Sequence, residues 1–139
     1  MGGPNYVLDS TFRSQGSVGT YDVVRVGPGT TNRGYVSKLA GTNTAGTILP
    51  LGVAQTGASV SGKEISIRLL GISLAKMQVT SGSIVEGKMA FPSSGAKIKV
   101  ITRPVGTVPK AILGQIVGAE GAGSPSSLVR VFVHPTFIC

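Results

Sequence analysis

Few residues of this chain carry the groups that most often do acid–base chemistry or bind metals. The carboxylates are Asp9, Asp22, Glu64, Glu86 and Glu120, and there is one imidazole, His134, and one thiol, Cys139. General acid–base catalysis needs titratable groups set at one place, yet each of these stands alone in the sequence. No nucleophile-elbow pattern is present to activate a serine. One histidine and one cysteine cannot supply the three or four nitrogen and sulfur ligands that zinc prefers, and no Asp/Asn-rich loop has calcium-binding spacing. The richest glycine loop, Gly118-Ala119-Glu120-Gly121-Ala122-Gly123-Ser124, lacks the Lys-Ser or Lys-Thr of a phosphate loop and opens no helix. The expectation is a protein that is not an enzyme and takes no cofactor or metal.

Charge directs attention to partners. Thirteen Lys and Arg against five acids leave +8 at pH 7, which favours an acidic partner, either nucleic acid or an acidic protein surface. The basic residues are dispersed. The densest stretch holds Lys97, Lys99, Arg103 and Lys110, with no acid between Glu86 and Glu120. There is no Trp, and none of the seven Phe and Tyr residues sits in a basic-aromatic strand of the kind that stacks bases. Direct nucleic-acid binding is therefore the second reading, as a basic nucleic-acid-binding β-barrel.

Short strands must position whatever binds. Twenty-one glycines punctuate segments rich in Val, Ile, Ser and Thr, the pattern of tight turns between strands. Strands are expected at Tyr21 to Val26, Gly34 to Ala40, Ile48 to Gln55, Lys63 to Leu70, Ile72 to Ala75, Lys88 to Phe91, Lys97 to Ile101, Ile112 to Gly118 and Leu128 to His134. Ile65, Ile67 and Leu69 alternate with Ser66 and Arg68, and Val129, Val131 and Val133 with Arg130 and Phe132. Gly71 marks a bulge or corner. No segment has a capped helical period. The fold class is all-β, a small barrel or sandwich with little helix.

The chain divides into an extended N-terminal arm (1–17), a barrel-like body (18–134) and a C-terminal tail (135–139). The body echoes itself. Leu51-Gly52-Val53-Ala54-Gln55 and the strand Ile65–Leu69 return 62–64 positions later as Leu113-Gly114-Gln115-Ile116-Val117 and Val129–Val133. No apolar run reaches the ~18 residues of a membrane span, and Met1–Asn5 lack a signal-peptide pattern. A lone cysteine fits folding in a reducing cytosol.

The lead-in Asn5-Tyr6-Val7-Leu8-Asp9-Ser10-Thr11-Phe12 resembles the start of small bacteriophage capsid decoration (cement) proteins. The likeness continues through Leu51-Gly52-Val53-Ala54, Gly62-Lys63-Glu64-Ile65-Ser66-Ile67-Arg68-Leu69-Leu70-Gly71-Ile72, Ile84-Val85-Glu86-Gly87, Ile112-Leu113-Gly114 and Val129-Arg130-Val131. The chain departs from that family in its basic charge and in the tail past the closing strand. The resemblance implies a homo-oligomer, a trimer, made in the host bacterial cytoplasm and seated on the outer capsid surface of the virion. There it would clamp neighbouring copies of the major capsid protein. The candidate contact residues are Tyr6, Val7, Leu8, Phe12 and Arg13 of the arm, expected to add a strand to a neighbour's sheet, and Phe137 and Ile138 of the tail.

Overall fold

The structure, a computed structural model, describes residues 7–27, 34–39, 49–77, 89–100, 110–119 and 128–138. These form nine strands: β1 (Leu8–Ser14), β2 (Val23–Val26), β3 (Tyr35–Lys38), β4 (Gly52–Ala54), β5 (Glu64–Lys76), β6 (Met89–Ser93), β7 (Lys97–Val100), β8 (Lys110–Ala119) and β9 (Leu128–Ile138). A single 3-10 turn, Ser94–Ala96, is the only helical element among the described residues. The all-β expectation is met, as a barrel.

The strand order is β1-β3-β2-β4-β5-β9-β8-β6-β7, and β1 also pairs with β5. That extra pairing closes β1, β3, β2, β4 and the first half of β5 into a five-stranded barrel of mixed direction. β1 runs parallel to β3 and antiparallel to β5. Closure removes exposed edges, the standing hazard of a small sheet. Alternation fills the interior. Val24, Val36, Ala54, Ile65 and Ile67 are buried together, with Phe12 and Leu69 packed against them. Full burial of such a side chain is worth roughly 1.5–3 kcal/mol.

β5 then crosses Gly71, whose φ of 117° suits glycine, and its second half starts the other set of strands. Gly71–Lys76 pair antiparallel with β9, as β1 pairs with the first half of β5. An isolated parallel bridge joins Met77 to Ile98 of β7, as β1 joins β3. The hairpin β6–β7 stands where β2–β3 stood, and β8 lies between β6 and β9 as β4 lies between β2 and β5. The echo read in the sequence is thus a repeated pairing scheme, with β5 serving both halves. The repeat does not equate the two central arginines. Arg68 faces Val53, and its counterpart opposite Gln115 is Phe132 rather than Arg130.

The two halves pack on each other. Val23, Val53 and Leu39 of the first half belong to the buried cluster built on Ala75, Ile98, Ile116, Val129 and Val131 of the second. Ala96 N–H donates to the Leu39 carbonyl at 3.1 Å.

Two segments differ from expectation. Residues 8–14, placed in an extended N-terminal arm over 1–17, are a barrel stave: Leu8 to Arg13 lie opposite Leu70 to Glu64 in the same chain. Phe12 and Ser14 are its inward positions, and Ser14 Oγ donates to the Val60 carbonyl at 2.9 Å. One large inward side chain satisfies a narrow barrel, so the stave reads as polar. The tail is also strand, since β9 runs to Ile138 against β8. His134 and Pro135 are accommodated at a register shift between Ile112 and Gly114, a bulge where proline's missing N–H is tolerated. In the opposite direction β4 is shorter than expected, beginning at Gly52 just after Pro50.

Candidate interaction surface

Outward-facing positions of β1, β5 and β9 carry an apolar stripe. Leu8 is 53% exposed, Leu70 38%, Ile72 49% and Phe132 39%. They are contiguous through the pairing. Leu8 lies opposite Leu70, Ile72 is two residues further along β5 on the same face, and Phe132 lies opposite Ile72. A register shift between Leu8 and Asp9 leaves both of these residues exposed. The ring of His134 stacks at a tilt on Phe132, with centroids 5.2 Å apart. Isolated exposed leucines are ordinary, whereas large contiguous apolar patches rimmed by polar groups mark interaction sites.

The rim is charged and ordered. Arg68 Nε–H donates to Asp9 Oδ1 at 2.8 Å, Nη2–H donates to Oδ2 at 3.0 Å, and Nη1–H donates to the Ile72 carbonyl at 2.7 Å. The hydrogen bond from Arg68 holds the Asp9 carboxyl below the usual carboxylate range, against a smaller opposing effect of burial. The guanidinium is fixed at both ends, to β1 and to the backbone of β5. Beside it is a recess of about 260 Å³ lined by Tyr21, Gln55, Arg68, Ile72, Ser73 and Arg130 among others. Its polar floor is set by Gln55, whose Nε2–H donates to Ser73 Oγ at 2.8 Å and to the Val53 carbonyl at 3.2 Å.

The contact residues expected from sequence do not gather at one place. Val7 and Leu8 are exposed, and Leu8 begins the stripe. Phe12 and Arg13 line a different recess of about 390 Å³ with Tyr35 and Glu64. Phe137 and Ile138 lie opposite Ala111 and Lys110 within β9–β8, and Tyr6 lies outside the described residues. Leu70, Ile72 and Phe132 were not foreseen. Their signal was present as apolar residues on strand faces that alternation assigns to solvent, the faces of Arg68 and Arg130.

The acids and the histidine are dispersed. Asp9 is bound by Arg68, and Glu64 lies opposite Arg13. Asp22 is buried and accepts from Lys76 Nζ at 2.7 Å and from Gly19 N–H at 2.7 Å. Among the described residues, no three His, Cys, Asp or Glu side chains are grouped to hold a metal. Glu86, Glu120 and Cys139 lie outside those residues. This face presents exposed apolar side chains beside the Asp9–Arg68 ion pair. Compared with known proteins, the chain matches no family model and no curated sequence.

Proposed function

We propose that the protein is a bacteriophage capsid decoration (cement) protein. In this reading it sits on the outer surface of the head as a homo-oligomer, a trimer, and clamps neighbouring copies of the major capsid protein. The observation that carries the reading is the exposed stripe Leu8–Leu70–Ile72–Phe132 on the strands that unite the two halves. A closed barrel leaves few backbone groups for partners, so an apolar outer face is the natural place for a permanent contact. The resemblance over residues 5–133 supports it further. Net positive charge favours an acidic shell and steers association to it, and several sites on one oligomer raise effective concentration.

The test is mechanical. Capsids assembled without the protein are heated with and without added purified protein, and genome release is followed by dye accessibility. Decoration predicts release at a higher temperature when the protein is added, and an unchanged release temperature contradicts it.

The second reading, a nucleic-acid-binding barrel, draws on the charge of +8. Several described cations are already engaged by carboxylates, Arg68 by Asp9 and Lys38 and Lys76 by Asp22, which leaves this reading the weaker. Its mark would be duplex binding that falls steeply with salt.

A further inference from the structure

We infer that His134 makes docking of the apolar stripe sensitive to pH, because its imidazole must be neutral when a partner covers Leu70, Ile72 and Phe132. The inference rests on the decoration reading and names a condition under which that contact forms and is released.

Position comes first. Along β9 the outward residues Arg130, Phe132 and His134 alternate with buried Val129, Val131 and Val133. Phe132 lies opposite Ile72 and Val133 opposite Gly71, so the antiparallel register carries His134 toward Leu70. The His134 ring packs on Phe132 with centroids 5.2 Å apart and planes 50° apart, and the residue is already half-buried. A partner that covers Phe132 and Leu70 therefore takes the imidazole out of water with them.

Charge comes second. Histidine is the side chain whose charge changes between pH 5 and 8, and His134 is the chain's one histidine. Removal from water disfavours the charged form, and the surrounding groups give an imidazolium little support. On β5 the neighbouring outward residues are Leu70 and Ile72, followed by Arg68, a cation. Asp9 of β1, the carboxylate at this face, gives both oxygens to Arg68. On β8 the residues alongside are Ile112, Gly114 and Gln115, none of which titrates, and the charge on that strand is Lys110. On β9 itself the next charge beyond Phe132 is Arg130, again a cation. The free protein takes up a proton in weak acid and the covered form excludes it, so protons compete with docking. One proton per site weakens binding by up to about tenfold for each pH unit once the free imidazole is charged.

The experiment titrates the full chain and His134→Gln onto capsids assembled without it, from about pH 8 down to about pH 5.5, where histidine changes charge. Salt is held fixed and bound protein is read by co-sedimentation. Wild-type affinity is expected to fall by about tenfold across this range. His134→Gln, which stays polar but takes no proton, is expected to change by less than about threefold, whatever its affinity at the upper end. Thermal unfolding at each pH checks that both proteins stay folded. His134→Phe, which keeps a ring beside Phe132, takes the place of a glutamine variant that does not fold. Wild-type protein that fails to bind at the upper end overturns the decoration reading itself. Wild-type binding that does not change with pH overturns this inference and leaves decoration standing. An equal fall in wild type and variant also overturns it, assigning the titration to the shell. Tighter wild-type binding in acid overturns it in favour of a partner carboxylate facing His134.

Discussion

Gly52 and Gly114 hold equivalent places in the two halves. A β-carbon on Gly52 would collide with the carbonyl oxygen of Arg68, and one on Gly114 with the carbonyl oxygen of Phe132. Each glycine lets β4 or β8 approach its partner strand closely. Gly52→Ala and Gly114→Ala should therefore each destabilise by about 1–3 kcal/mol through overpacking. Gly118→Ala, with nothing within 4 Å of the new carbon, should stay within about 0.5 kcal/mol. Urea unfolding of the three variants checks this, and a neutral Gly114→Ala would contradict the close approach.

Asp22 ties the halves together. Its carboxylate, with a side chain 3% exposed, takes Lys76 Nζ at 2.7 Å from the strand shared by both halves. Gly19 N–H donates to the other oxygen, and Lys38 Nζ lies 3.8 Å from it. Asp22→Ala leaves a half-buried N–H and two cations without their acceptor. The cost should be about 3 kcal/mol, below that of a fully buried pair because the lysines reach solvent. Lys38→Ala, which removes only the longer contact, should cost under about 1 kcal/mol. Chemical denaturation compares them.

The Asp9–Arg68 pair clips β1 to β5 at the solvent face. Asp9→Asn should cost about 0.5–1 kcal/mol, the upper range for an exposed pair with bidentate geometry. Because Asp9 titrates below its ordinary value in the folded state, its contribution is fully present above the unfolded value of about 3.9. It is lost as pH falls through the lowered folded value. Wild type and Asp9→Asn should therefore differ in stability at pH 6 and converge in strong acid. A difference independent of pH would contradict the ion pair.

Removal of residues 1–12 opens the barrel. The segment carries most of the β1–β5 register and the inward ring of Phe12. Truncation should lower stability by several kcal/mol, of the order of a core aromatic deletion at about 3–5 kcal/mol. Were residues 1–17 a free arm, the truncated protein would melt as wild type. Circular dichroism on heating separates the two outcomes.

Much of this fold was legible because alternation and glycine are strong signals. Ile65–Leu69 and Val129–Val133 announce their faces, and the Gly52 and Gly114 strands announce the repeat. β1 was not legible as a stave, because a narrow barrel asks for one large inward residue and Phe12 alone does not make a pattern. β9 was cut short at Pro135 because a bulge that spares the missing N–H cannot be seen without the opposite strand. The interaction face was hidden for a related reason. Leu70, Ile72 and Phe132 are scattered in sequence and become one stripe only when β5 turns at Gly71 and pairs with β9. Sequence directs attention to the chain ends, whereas pairing brings Leu8 and Phe132 from the first and last strands against Leu70 and Ile72 of β5.

The most direct test of capsid decoration is a particle reconstruction. Capsids lacking the protein are incubated with it and imaged beside untreated ones. Decoration predicts added density on the outer surface between capsomers, with the barrel oriented so that the face of Leu70, Ile72 and Phe132 meets the shell. Particles with no added density would contradict it.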